Sequence, residues 1–401
     1  AVNTAIGVRA GLAMITGDRN TFLGKDAGDS ATAINDAVFI GHDAGHTIST
    51  STAVDGTIAI GSSALAALTS GAGNVANGYQ SLNTITTGSR NIGIGYGVMN
   101  DTDDTFVQAS CVVTDTDATV THPENTNIAA GMTVTGTGIP ANTTIASLNG
   151  GANLSFELSA VATAGGTVTL TFSGCLSASD NVFIGYDAGG GTWVAEGVTQ
   201  KNVGIGSGAM VGALNGVSGA TAIGYNALAA LTTGARNTAV GFQALDGIDT
   251  EDDNTAVGYL SLTSLAGSSR NTAVGSRSGE TSLGNDCTYV GRQAGQFVGD
   301  ADGNTAVGKD ALMGITSDRT TGANNTAIGR GAGTLIKGAG HENTLLGALA
   351  GDIITTGSDN TCIGKSADTD DATAINQIVI GHSTTGVADN SVTLGNASVT
   401  A

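Results

Sequence analysis

Asn237-Thr238-Ala239-Val240-Gly241-Phe242-Gln243-Ala244-Leu245 returns seventeen residues later as Asn254-Thr255-Ala256-Val257-Gly258, and this recurrence decides the fold. The pattern or a close relative occurs nineteen times, its closing glycines running from Gly7 to Gly395. Ten of the eighteen intervals are 17 residues, seven lie between 14 and 21, and one is 90. A fixed short period means one structural unit stacked many times, each copy covering its neighbour.

Five residues with β-branched members, bounded by glycine, predict a short strand. The residue before the closing glycine is aliphatic in 18 of 19 copies, Asn77 being the exception, and the residue four before it is Asn in 13. A small residue, almost always Ala or Ser, follows three after the glycine. Many copies continue with leucines three apart, as Leu65/Leu68, Leu228/Leu231 and Leu262/Leu265. Leu231-Thr232-Thr233-Gly234 then reads as a corner, with Gly234 expected at positive φ. A strand and two corners make one coil of an all-β, elongated β-solenoid or β-helix. At about 4.8 Å per coil, nineteen coils imply a rod on the order of 90 Å long. The Asn position is expected to form a ladder of side-chain amides.

Strand alternation puts Thr238 and Val240 on one side and Asn237 and Ala239 on the other. Two before the glycine stands mostly Ala, with Phe22, Phe39 and Phe183 in three copies, so neither face is clearly polar. Strands apolar on both faces expect cover on both. Three chains around one axis supply it, which favours a homotrimer; a single-chain solenoid is the alternative. Thr lies on the side of the aliphatic residue, so if the aliphatic row is buried most of the threonine row is buried with it, which argues against an exposed ice-binding ladder.

The repeat divides the chain into residues 1–103, an insertion at 104–176, and residues 177–401. The insertion is rich in Thr and Val, with strand-like runs at Cys111-Val112-Val113, Met132-Thr133-Val134 and Thr167–Phe172. Turns at Gly136–Pro140 and Asn149-Gly150-Gly151 separate them, predicting a small β-sandwich or barrel. An insertion between coils loops out sideways, where it serves as spacer, decoration or partner contact.

With 63 glycines, only 2 prolines and 12% charged residues, the periodic chain reads as ordered. A net charge of −20 with 14 basic residues argues against a nucleic-acid groove. No 18-residue apolar run predicts membrane insertion. Both ends cut into the array, so a longer or processed polypeptide is expected. The four cysteines lack metal-site spacing, leaving buried thiols or a Cys111–Cys175 bridge. Acidic clusters at Asp101–Asp104, Asp249–Asp253 and Asp368–Asp371 lack the pattern of a calcium loop and read as solvated charge. His42, His46 and His382 present no second ligand type. Trp193 alone hardly makes a sugar-stacking cleft. No catalytic, cofactor-binding or metal residue and no cofactor is assigned.

Asn237–Gly241 through Asn254–Gly258, with Tyr225-Asn226-Ala227-Leu228 and Thr232-Thr233-Gly234, resemble repeats of bacteriophage tail-fibre proteins. More loosely, the I-G-x-x-A pattern resembles the head repeats of trimeric autotransporter adhesins. Met132-Thr133-Val134-Thr135-Gly136-Thr137-Gly138-Ile139-Pro140 is similar to a module scattered through phage structural proteins. Asn376–His382 and Asp389–Asn396 resemble the end of a fibre shaft, which in tail fibres often precedes a self-cleaving trimerisation chaperone domain. The resemblance implies a non-enzymatic structural fibre on a virion or outside the cell, acting in host attachment. Expected partners are itself, as homotrimer or head to tail, and a host-surface glycan or protein receptor. The alternatives are a cell-surface adhesin or extracellular filament subunit and, less favoured, a fibre-borne glycan depolymerase with paired carboxylates.

Overall fold

The computed structural model describes residues 2–48, 54–100, 106–123, 132–149, 155–173, 178–191, 199–265 and 267–399. It divides into two compact units, residues 1–219 and 220–401. Both are parallel β-solenoids of roughly 17-residue coils. The first contains eight repeat strands, from Thr4–Ile6 to Val203–Ile205, and the second eleven, from Thr221–Ile223 to Val392–Leu394. Every one ends at a closing glycine of the sequence pattern. Neighbouring coils pair in strict register, as Thr238↔Thr255, Ala239↔Ala256 and Val240↔Val257.

Each strand spans three residues where five were expected. The asparagine ladder supplies the reason. The Asn271 backbone N–H donates to the Asn254 side-chain oxygen at 3.0 Å, and Asn254 donates likewise to Asn237 at 3.0 Å. An N–H spent on a side chain is withdrawn from the backbone ladder, so the strand begins one residue later. The same oxygen receives the next amide Nδ2, 3.1 Å between Asn91 and Asn74. That Nδ2 also donates to a corner carbonyl, 2.6 Å to Ala178. From Asn20 to Asn360 the ladder asparagines are buried, so these bonds satisfy groups that water cannot reach.

The other end of the strand is set by glycine. Gly241 adopts φ +140°, and a Cβ there would lie 2.3 Å from the Gly258 carbonyl oxygen. Gly234 differs from expectation, because the positive φ of this corner belongs to Arg236 (57°) two residues on. Gly234 is required for space: a Cβ would meet the Glu251 carbonyl oxygen at 2.2 Å. Non-glycine residues recur in the left-handed region at the same place, among them Arg19, Asp36, Arg90, Asp180, Asp253, Arg270 and Asp286.

The inward residue of the strand and the residue four after the closing glycine share one volume. Where the strand contributes Ala222, Ala239 or Ala256, the later position is Leu228, Leu245 or Leu262, all fully buried. Where the strand contributes Phe39, Phe183 or Tyr289, the later position is Gly45, Gly189 or Gly295. A Cβ on those glycines would lie 2.8, 2.9 and 2.2 Å from the facing ring. In these coils one large side chain fills the shared volume, supplied from either position; where both are small, as at Ala273 with Gly279 and Ala327 with Gly333, Tyr289 and Leu345 of the next coil face the glycine. Small residues such as Ala244, Ala294 and Ala311 pack beside it, buried as expected.

The insertion lies in the first unit. Strands Ile92–Ile94 and Val182–Ile184 pair directly across it, so the coils stack without a gap. Between them, six strands form an antiparallel sheet: Phe106–Val113, Thr119–Thr121, Thr133–Gly136, Ile145–Asn149, Ser155–Leu158 and Gly166–Ser173. Its two outer strands meet at the Thr133↔Thr144 bridge, with Ile145 N–H donating to the Met132 oxygen at 2.8 Å. The sheet therefore curls onto itself around Cys111, Val120, Met132, Val134, Phe156, Leu170 and Phe172, a small barrel of the kind the alternating pattern predicts.

Candidate functional site

Alternation turns four rows outward from each coil. A leading row precedes the buried asparagine, then come the threonine row, the aliphatic row and, after the closing glycine, a trailing row. Position by position in the second unit, the leading row reads Arg236, Asp253, Arg270, Asp286, Gly303, Asn324, Glu342, Asp359, Asn376 and Asn390. The trailing row reads Tyr225, Phe242, Tyr259, Ser276, Arg292, Lys309, Arg330, Ala348, Lys365, His382 and Asn396.

Along the leading row a guanidinium pairs with the carboxylate one coil on. Arg19 to Asp36, Arg236 to Asp253 and Arg270 to Asp286 are each 2.6 Å, and Arg90 to Asp180 is 2.5 Å. The guanidinium beside each holds those carboxyls below their ordinary range. Exposed pairs of this kind contribute little stability and instead fix alignment. Beside the aliphatic row, trailing aromatics stack coil on coil: Tyr79, Tyr96 and Tyr186 at 5.3 and 5.7 Å, Tyr225, Phe242 and Tyr259 at 5.2 and 5.5 Å. Within a stack the ring faces cover one another, and the Arg277 guanidinium lies 5.9 Å from the Tyr259 ring centroid. This row escaped the sequence reading, although five of the six tyrosines directly follow a closing glycine.

The acidic clusters are largely committed locally. Glu251 accepts from the backbone N–H groups of Asp249 at 2.7 Å, of Thr250 at 2.9 Å, and of Gly267. Asp252 accepts from Ala235 N–H at 2.6 Å, Asp253 from Arg236, and Asp249 from Thr232. Asp371 accepts from Thr373 N–H at 2.7 Å, and Asp370 is bonded by Gln377. Asp368 occupies a position that is a buried leucine in other coils; burial and the Asp352 charge push its carboxyl up to about 6. The Asp101–Asp104 cluster lies outside the described residues apart from its flanks, as do Cys175 and Trp193.

His42 and His46 stand at a charged corner. His42 Nδ1 lies 3.1 Å from Asp43 and His46 Nδ1 lies 2.9 Å from Asp29. Ligand atoms of Asp26, His42 and Asp43 fall within 4.8 Å of one another. The cation place among them is taken by Lys25, whose Nζ is 2.8 Å from Asp26 and 3.4 Å from His42 Nε2, while Arg9 binds Asp26 at 2.5 Å. Two cations hold the Asp26 carboxyl far below its ordinary range. His382 is exposed, and its carbonyl accepts from Asn396 at 2.8 Å. Cys111, Cys287 and Cys362 are buried free thiols; burial pushes Cys111 up to about 11 and Cys362 up to about 12, which suppresses the reactive thiolate. Among the described residues no helix is long and apolar enough to cross a membrane. Comparison with protein-family models, curated proteins and solved structures yields no match.

Proposed function

We propose that this protein is a non-enzymatic structural fibre whose solenoids associate side by side as a homotrimer. It would form the shaft of a phage tail fibre or a similar appendage, acting outside the cell in host attachment. One observation carries the reading: the outward aliphatic row. Leu346, Ile328 and Val290 stand 46%, 38% and 36% exposed, in register with like neighbours above and below. Apolar side chains scattered singly on a surface need no cover, but a continuous stripe does, and beside Ile223, Val240 and Val257 the stacked rings of Tyr225, Phe242 and Tyr259 widen it. The resemblance of the repeat to tail-fibre sequences points the same way. Mass in solution by light scattering tests the assembly, with three copies expected; electron microscopy then expects particles of one fixed length. A single-copy mass at high concentration overturns it.

A further inference from the structure

In residues 220–401 the two margins of the sheet change character at the same coil. On the trailing row the rings of Tyr225, Phe242 and Tyr259 give way, after Ser276, to Arg292, Lys309, Arg330 and Lys365, all exposed. On the leading row the cations Arg236 and Arg270 end where those begin, and Asp286, Gly303, Asn324, Glu342 and Asp359 follow. Coils with a basic trailing residue thus carry an acidic or neutral leading residue. Coils with a trailing ring or serine carry the leading arginines and the Asp253 they bracket.

One copy cannot neutralise its own margins. Asp359 and Lys365 stand at opposite ends of one strand, six residues apart and so roughly 15–20 Å across the sheet. Along the trailing row there is little relief either. Arg292 and Lys309 share Asp310, at 3.6 and 3.2 Å, and among the described residues Arg330 and Lys365 form no ion pair. Glu342 and Asp359 likewise form none. The leading row behaves alike: Arg236 and Arg270 each face a carboxylate on the next coil, whereas Glu342 and Asp359 stand as like charges one coil apart.

We infer that copies of this chain lie parallel and level, the trailing margin of one against the leading margin of the next, so that Lys365 meets Asp359 of the neighbour on its own coil and Arg330 reaches Glu342 one coil on. This rests on the side-by-side reading above and adds which edges meet and in what register. Leading and trailing margins differ, so each contact leaves one of each free until a ring closes. Three copies close it with the aliphatic rows turned toward a common axis. Edge complementarity also rejects the three-coil shift that would set Arg292 and Arg330 against Arg236 and Arg270.

Charge exchange in the full chain tests it. Arg330→Glu with Lys365→Glu reverses one margin, Glu342→Lys with Asp359→Lys reverses the other, and a third variant carries all four. Circular dichroism first establishes that each variant keeps its strands, and sedimentation then measures assembly. Each one-margin reversal is expected to weaken association about tenfold or more, and the fourfold exchange to restore it. An assembled wild type that is indifferent to either reversal, or an exchange that fails to restore, overturns the edge pairing while leaving self-association standing. A wild type that stays single at every concentration overturns the side-by-side reading itself. Retention of single copies on a sulfated glycan, lost on reversing Arg330 and Lys365, overturns the pairing in favour of a polyanion.

Discussion

Asp368 shows how much one side chain can depart from its row. Four residues after a closing glycine, coils elsewhere bury Leu312, Leu262 or Leu245. At Asp368 a carboxyl occupies that place beside Asp352, raised to about 6 by burial and by its neighbour's charge. A raised carboxyl favours the folded state when protonated. Its stabilisation is therefore fully present below about pH 4 and is lost as pH climbs through about 6. Asp368→Leu is expected to raise stability at pH 7.5 by roughly 1 kcal/mol, less than the full shift implies because the group is half exposed and screened. The gain should vanish at pH 4. Urea unfolding of both chains at the two pH values measures this, and an equal gain at each would show that packing alone is responsible. The asparagines illustrate the opposite case: a side chain whose role was legible before any coordinates. A polar residue recurring between apolar ones at a fixed period has few places to go except a ladder of its own kind.

At the scale of the coil, the large side chain is exchangeable between two positions. Phe183 fills its coil because Gly189 leaves room, the Gly189 Cβ position being 2.9 Å from the ring. Phe183→Ala removes the ring and is expected to cost about 3–5 kcal/mol. Adding Gly189→Leu to it reproduces the Ala239/Leu245 arrangement and is expected to recover about half or more. The left-handed backbone there does not forbid leucine, since Leu245 holds φ 51°. Thermal and denaturant unfolding of both single variants and the double variant give the coupling; additive losses would refute the shared volume. The two columns that encode this exchange were present in the sequence and went unread, because each column alone looks merely variable. Corner geometry was less accessible. The left-handed residue proved to be Arg236, which a rule reserving positive φ for glycine assigns to Gly234. Strand length was hidden too, because it depends on where the Asn N–H finds its acceptor.

At the scale of the molecule, contacts within each unit run from one coil to the next, so the stability of a unit is a sum over neighbours. The insertion interrupts the sequence but not that sum. Asn181 N–H reaches the Asn91 side-chain oxygen at 3.2 Å, Arg90 reaches Asp180 at 2.5 Å, and Tyr96 stacks on Tyr186. A chain in which residues 104–176 are replaced by a short glycine-serine turn is expected to keep its β circular-dichroism signal. Its melting midpoint should fall within about 5 °C of the parent. Collapse of that signal would show that the barrel props up the coils on either side. The ladder has one more property, which is direction. Each asparagine oxygen accepts from the coil that follows it in sequence and never from the one before. During synthesis, a completed coil therefore emerges from the ribosome already holding out the acceptor its successor needs. The chain is ordered to zip up in the order it is made, waiting once, where Asn91 meets Asn181 across the insertion.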